Sequence, residues 1–129
     1  MSVRIFRGSF ELYSWLFMRI SGIALAALVV IHLIYLHFFI GVEQINFSVV
    51  ASRWASPGWK IFDLVMLLLA LSHGGNGARI VLEDYIRRRV WRIAAFAVLG
   101  IIWAALLIVG THVVLTFDPS SLQEAGIVS

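Results

Sequence analysis

The sequence predicts an all-α integral membrane protein with three transmembrane helices, formed as a single domain over residues 1–129. The first observation is composition: 61% of the residues are hydrophobic, whereas a soluble domain is nearer half apolar. The second is three segments that exceed the roughly 20 apolar residues a helix needs to cross the hydrocarbon core. The third is that these segments are continuous and lack the alternation of a membrane barrel. We therefore expect spans at about residues 12–40, 59–82 and 91–117.

The first span is expected to begin on the cytoplasmic side. Arg4 and Arg7 precede it, and basic residues are enriched in cytoplasmic segments. These arginines are not followed by a short apolar core and a small-residue cleavage site, so we expect no cleaved signal peptide. The helix over residues 12–40 then acts as its own insertion signal.

The charges of the links and the C-terminal tail orient the other two spans. Four arginines crowd the short link between the second and third spans, namely Arg87, Arg88, Arg89 and Arg92. The link over residues 41–58 carries only Arg53 and Glu43, and the tail carries Asp118 and Glu124. The N-terminus and the second link are therefore predicted to face the cytoplasm and the C-terminus the outside. The net charge of +3 follows from this orientation, and nucleic-acid binding is not needed to explain it.

Polar side chains within the spans are the candidate functional residues, because they are expensive in hydrocarbon and usually mark function. They are Arg19, Ser21, His32, His37, Asp63, His73, Asn76, Arg79, Thr111 and His112. The chain has no cysteine, which excludes disulfides and iron–sulfur ligation by its own residues.

His73 lies in the second span and is followed by Gly74, Gly75 and Gly77. Glycine costs about 1 kcal/mol in a helix interior, so three glycines beside a histidine need a reason. Either a neighbouring helix approaches closely there, or a flat macrocycle fills the space and His73 binds its iron. Helix packing explains the glycines alone, whereas a haem ligand explains both features. The alternative for His73 is a hydrogen-bonded structural histidine.

His32 lies in the outer half of the first span, at a different depth from His73. One haem could not use both residues, so a haem with two histidine ligands at either depth needs a histidine from another chain. The alternative for His32 is a polar contact between helices. For His37 and His112, near the outer ends of their spans, we favour interfacial positions without a ligand role.

Arg19 and Arg79 lie inside spans, where an unpaired arginine costs about 2.5 kcal/mol or more. Each could bind a haem propionate, a quinone oxygen or a partner carboxylate, and each could instead extend to the inner membrane surface. Asn76 could bond a neighbouring helix or a propionate. Asp63 lies near Lys60, and we expect an ion pair between them at the outer helix N-terminus.

Asp84 and Tyr85 lie at the inner end of the second span. Asp84 follows His73 by eleven residues, which is about three helical turns, so the two share a face. A tyrosine hydroxyl can donate a hydrogen bond to a quinone carbonyl, and a neighbouring carboxylate can poise it or relay protons. The alternative for Tyr85 is membership of the aromatic belt at the membrane surface.

The spacing of His73, Asp84 and Tyr85 in "HGGNGARIVLEDY" resembles the second helix of the D-type membrane-anchor subunit of succinate dehydrogenase (complex II). The stretches "ELYSWLFMRISG" and "NFSVVASRWASPGWKIFDL" are similar to flanking parts of prokaryotic D-type anchors, so the resemblance covers most of the chain. It implies that His73 is an axial ligand of haem b, and that Tyr85 and Asp84 contribute to a site for ubiquinone or menaquinone. His32 matches the position of a second ligand in two-haem members, so one or two haems are implied.

Arg19 and Ser21 match an Arg-x-Ser-Gly element that in many anchors belongs to the C-type subunit. The resemblance implies a quinone or propionate role for Arg19, and Arg79 is a second candidate for a propionate. A serine four residues before the arginine also serves the quinone in that element. Here Ser14 precedes Arg19 by five residues, so that role is not carried over.

The resemblance implies a membrane-anchor subunit of a succinate:quinone oxidoreductase in a prokaryotic cytoplasmic membrane. The implied partners are a C-type anchor that completes a six-helix bundle, an iron–sulfur subunit, and the flavoprotein that oxidises succinate. Succinate itself is not expected to contact this chain. Three alternatives are an anchor of a quinol:fumarate reductase, a haem-free structural anchor, and a small transporter or channel subunit. The last is disfavoured because the chain offers no aqueous stripe of acidic residues.

Overall fold

The computed structural model describes residues 2–118 and 120, and none of these residues forms a strand. The four α-helices are α1 (Ser2–Ile34), α2 (Phe47–Trp54), α3 (Pro57–Tyr85) and α4 (Arg89–Thr116). Three helical segments are long and apolar enough to cross a membrane, and they begin at Gly8, Pro57 and Arg89. The prediction of an all-helical protein with three spans is therefore confirmed.

The first helix is longer than the sequence pattern indicated. α1 has 33 residues, which corresponds to about 50 Å and exceeds the roughly 30 Å of hydrocarbon. It continues as a π-helical segment, Tyr35–Ile40, so the predicted end of the span at residue 40 agrees with the structure. Gly41 then reverses the chain with a φ of 82°, a conformation that only glycine adopts without strain.

The link between the first two spans contains a helix that the sequence pattern did not predict. Asn46 caps α2, because its side-chain oxygen accepts a hydrogen bond of 3.1 Å from the Val49 amide. The helix lies against the end of α4, where the rings of Phe47 and Trp54 contact Phe117 edge to face. The link between the first two spans is therefore folded and not an extended connection.

α3 and α4 both extend past their predicted inner ends. Pro57 occupies the first turn of α3, where a missing amide costs nothing. The link between the helices is short, and Arg92 donates from Nε to the Ile86 carbonyl within it at 2.9 Å. α4 ends at Thr116, one residue before the predicted limit.

α3 is the central helix of the chain and contacts α1, α2 and α4. The side chain of Trp103 in α4 contacts α3 and donates from Nε1 to the Leu71 carbonyl at 2.9 Å. The most apolar stretch of each span contains no residue that is buried within the chain. The apolar side chains of the three spans are therefore left for lipid or for another subunit.

Candidate functional site

His73 is held between α3 and α1 by a single hydrogen bond. Its ring nitrogen Nδ1 lies 2.9 Å from the hydroxyl oxygen of Ser21. The Ser21 hydroxyl donates to the Phe17 carbonyl one turn earlier. A proton on Nδ1 satisfies all three groups, because the ring nitrogen then donates to the serine oxygen while the hydroxyl donates to the carbonyl. In that tautomer the lone pair of Nε2 is available to a metal ion.

The surroundings of the histidine ring are closely packed on the α1 side. Ser21 is 2% exposed and is the most buried polar residue in the described part of the chain. A Cβ atom added to Gly22 would lie 3.2 Å from Cε1 of His73. The Ser21–Gly22 pair thus forms a small seat for the imidazole, with one hydrogen-bond acceptor and no side chain in the way.

The glycines after His73 serve helix packing at two of three positions. An added Cβ would lie 2.8 Å from the Trp103 ring at Gly75 and 3.3 Å from Met18 at Gly77, and would meet nothing at Gly74. Gly75 and Gly77 therefore admit neighbouring helices, which was the first of the two explanations considered. Of the three glycines, only Gly74 has open surroundings within this chain.

Arg79, six residues after His73, belongs to a polar network between α3 and α1. Its Nε, Nη1 and Nη2 atoms bond Asn76, Glu83 and Ser14 at 3.2, 2.7 and 3.1 Å. Asn76 also donates to the Ser14 hydroxyl at 3.0 Å. The guanidinium is thus paired within the chain, and a propionate would have to share or replace these partners. Ser14, which the sequence comparison left without a role, ties α1 to α3.

Arg19 is not brought to the inner end of α3. Its guanidinium carbon lies 4.3 Å from the centre of the Trp15 ring on the same helix, and the side chain is exposed. Arg19 precedes Ser21 by two residues, and Tyr85 follows His73 by twelve. At 1.5 Å per residue this separates Arg19 and Tyr85 by about 15 Å along the helix axes. Within this chain the three predicted quinone residues do not form one cluster.

Tyr85 and Asp84 form the exposed C-terminal end of α3. Tyr85 is 83% exposed, and Asp84 is exposed as well. Their side chains make no hydrogen bond to another described residue, so both are available to a molecule at the membrane surface or to another subunit.

His32 lies in a second polar cluster, near the C-terminal end of α1. Its Nδ1 atom is 3.6 Å from Oδ1 of Asp63, which is too long for a hydrogen bond, and this buried atom has no other partner. The ring lies parallel to that of Phe62. His32 also lines an apolar cavity of about 630 Å³ between α1, α3 and α4.

Asp63 is paired differently from the sequence prediction. Arg53 of α2 donates from Nη2 to both carboxylate oxygens at 2.9 and 3.0 Å, and Trp54 donates from Nε1 at 2.8 Å. Lys60 instead donates to the Phe117 carbonyl at 2.7 Å. The predicted Lys60–Asp63 ion pair is therefore wrong, because the folded link between the first two spans brings Arg53 to the carboxylate.

The two histidines lie at different depths, as the sequence indicated. Ser21 marks the level of His73, and His32 follows Ser21 on α1 by eleven residues, or about 16 Å. His37 and His112 are exposed, and Nδ1 of His112 lies 3.4 Å from the Thr116 hydroxyl of its own helix. Neither of these two residues lies in a cluster with His73 or His32.

The role of Ser21 is the feature of the site that sequence reasoning missed. Ser21 and His73 are 52 residues apart, and no spacing rule connects them. The sequence did contain one signal for this pair. The first two spans are antiparallel, and this arrangement places Ser21 of one helix near His73 of the next.

The fold and the site define a class of protein, namely a small membrane subunit of three helical spans with a histidine seated inside. The family model for the succinate dehydrogenase/fumarate reductase transmembrane subunit matches residues 3–126. The chain belongs to this family and is an integral membrane protein. Comparison with curated proteins finds no match.

Proposed function

We propose that the chain is the haem-binding anchor of a succinate:quinone oxidoreductase, and that His73 is an axial ligand of haem b. The observation that carries the proposal is the hydrogen bond between Nδ1 of His73 and Ser21. A histidine that binds a metal through one nitrogen commonly donates from the other to an oxygen acceptor. When bound, the haem supplies a one-electron carrier, and this chain contributes the imidazole and its orientation.

His32 is proposed as a ligand of a second haem nearer the outer surface. Support comes from its buried, unpartnered Nδ1 atom and from the apolar cavity beside it. The competing role is a polar contact with Asp63, whose carboxylate is already bonded to Arg53 and Trp54. Because both histidines belong to one chain at different depths, each haem would take its other axial ligand from the partner anchor.

The quinone is proposed to meet this chain at Tyr85 and Asp84. The exposed phenol at the inner end of α3 can donate a hydrogen bond to a quinone carbonyl, and the adjacent carboxylate can accept or relay a proton. Arg19 lies about 15 Å deeper along the helix axis. A quinone role for Arg19 therefore requires that the quinone ring enter further toward His73 than Tyr85.

The anchor is proposed to assemble with a C-type anchor into a six-helix bundle that carries an iron–sulfur subunit and a flavoprotein. The unburied apolar faces of the three spans and the family membership support this arrangement. A quinol:fumarate reductase would use the same anchor with electrons moving in the opposite direction. The two are distinguished by assaying the purified complex with succinate plus quinone and with fumarate plus quinol.

The experiment that tests the haem assignments is the molar ratio of haem b to flavin in the purified complex, with variants of each histidine. We expect a ratio near two, a loss of the haem at the inner depth in His73→Ala, and a loss of only one haem in His32→Leu. His37→Leu serves as the control, because His37 is an exposed histidine of the same helical segment.

Each other outcome removes a defined part of the proposal. A ratio near one with full haem in His32→Leu returns His32 to a contact between helices. An unchanged optical spectrum in His73→Ala rules out His73 as a ligand. A wild-type ratio of zero leaves a haem-free structural anchor, whose quinone takes electrons directly from the iron–sulfur subunit.

A further inference from the structure

We propose that Ser21 is a positioning residue that fixes the tautomer and the donor strength of His73, with Gly22 leaving the space that the ring requires. This inference rests on His73 being an axial ligand, as proposed above. It adds a specific role for a residue of α1 that does not itself touch the metal.

The direction of the hydrogen bond carries the argument. The Ser21 hydroxyl donates to the Phe17 carbonyl, so its oxygen can receive the proton of Nδ1 in the bond of 2.9 Å to His73. A neutral imidazole has one proton, and holding it on Nδ1 leaves Nε2 as the only ligating nitrogen. The Phe17 carbonyl therefore determines, through Ser21, which nitrogen of His73 can bind iron.

Burial makes this bond persistent. Ser21 is 2% exposed and lies inside a membrane span, so water has little access to compete for the hydroxyl or the ring nitrogen. Leaving Nδ1 of His73 without a hydrogen bond inside a membrane span would cost free energy. The imidazole is expected to stay in this orientation whether or not the metal is present.

Gly22 contributes by the absence of a side chain. An added Cβ would lie 3.2 Å from Cε1 of the His73 ring, which is closer than an ordinary carbon contact. The ring would have to move by a few tenths of an ångström, and its bond to Ser21 would lengthen or tilt. Orientation and hydrogen bonding of the ring are thus set together by two consecutive residues.

A purely structural role for Ser21 in joining α1 and α3 is the competing explanation. Ser14, seven residues earlier on α1, already bonds Asn76 and Arg79 of α3. The two helices are therefore tied without Ser21. A bond that serves the histidine should instead change the properties of the bound metal.

The expected effect has a definite sign. An imidazole that donates its proton to an oxygen acceptor is a more basic ligand, and a more basic ligand favours the ferric state. Removing the acceptor in Ser21→Ala should therefore raise the midpoint potential of the haem held by His73. Ser21→Thr keeps a hydroxyl and should restore the potential toward that of the wild type.

The test is a redox titration of the haem absorption bands in the whole purified complex, with electron paramagnetic resonance of the oxidised haem as a second readout. Ser21→Ala should retain haem, show an upward shift in potential and change the resonance g values, and Gly22→Ala should change the g values. Ser72→Ala is the matched control, because Ser72 adjoins His73 in sequence but makes no hydrogen bond to its ring. It should leave both readouts unchanged.

Two results would overturn the inference while leaving the proposed function intact. One is an unchanged potential and unchanged g values in Ser21→Ala while His73→Ala loses its haem. The other is a failure of Ser21→Ala to assemble, which would assign Ser21 to helix packing. If His73→Ala keeps a normal haem spectrum, the proposed ligand itself is wrong, and the inference fails with it.

Discussion

Tyr85 is the side chain whose replacement tests the proposed quinone site most directly. Replacing it in Tyr85→Phe removes a hydroxyl that bonds no described residue of this chain, so the fold and the haem bands should be unaffected. A hydrogen bond to a quinone carbonyl is worth about 1–2 kcal/mol, so quinone reduction should slow roughly tenfold. The measurement is succinate-dependent quinone turnover in the purified complex.

The control for that variant is Tyr13→Phe. Tyr13 is also largely exposed, at 69%, and lies toward the inner end of α1. It should turn over quinone at the wild-type rate. Equal rates in Tyr85→Phe and the wild type would assign Tyr85 to the aromatic belt instead.

At the level of single residues, the sequence predicted which polar positions need a bonding partner, but it did not predict which residues those partners are. His73, Arg79 and Asp63 were recognised because charge or polarity at membrane depth needs compensation. Their partners come from elsewhere: Ser21 bonds His73 across 52 residues, and Arg53 bonds Asp63 from the folded link between the first two spans. Sequence proximity favours Lys60 for Asp63, yet a single guanidinium nitrogen of Arg53 bonds both carboxylate oxygens.

At the level of helices, the crossing of α3 and α4 depends on Gly75. Its added Cβ would lie 2.8 Å from the Trp103 ring, and that ring is fixed by its bond to the Leu71 carbonyl. Gly75→Ala should therefore destabilise the complex by about 1–3 kcal/mol through overpacking. The measurement is the apparent Tm of the detergent-solubilised complex, which should fall.

Gly74→Ala is the matched control, one residue away on the same helix. An added Cβ there meets nothing within 4 Å, and alanine is a better helix former by up to about 1 kcal/mol. Its Tm should be unchanged or slightly higher. A Tm for Gly75→Ala equal to that of Gly74→Ala would mean that Trp103 yields freely and that the crossing does not depend on the glycine.

The three spans were predictable because hydrocarbon thickness fixes the length of an apolar segment. Two details were not. The π-helical turn Tyr35–Ile40 leaves no mark in hydropathy, since it changes only the hydrogen-bond pattern. α2 has eight residues and looks like a loop by length, although Asn46 ahead of "FSVVASRW" is a recognisable N-cap.

At the scale of the whole molecule, arginine placement predicts that the N-terminus and the link between α3 and α4 face the cytoplasm. The chain has no cysteine, so single introduced thiols report their own side of the membrane. In intact cells an impermeant maleimide should label this 14.4 kDa chain in Ser52→Cys of α2. Arg88→Cys should be labelled only after the membrane is opened.

The reverse labelling pattern would invert the orientation and place Tyr85 on the outer side. That outcome would also separate the proposed quinone residues from a cytoplasmic iron–sulfur subunit. Glu124 is one of the two acidic tail residues from which the orientation was predicted, and it lies outside the described residues. The labelling pattern therefore provides the direct evidence for the orientation.

The chain order of the histidine seat bears on how the protein is made. Phe17, Ser21 and His73 all precede α4, and no α4 residue takes part in the bonds that join them. Because polypeptides emerge from the N-terminus and fold as they appear, the first two spans can enter the bilayer as a hairpin with the imidazole already oriented. α4 then closes against Gly75 on another face of α3. A nascent subunit would therefore carry His73 already oriented for metal binding before its own synthesis was complete.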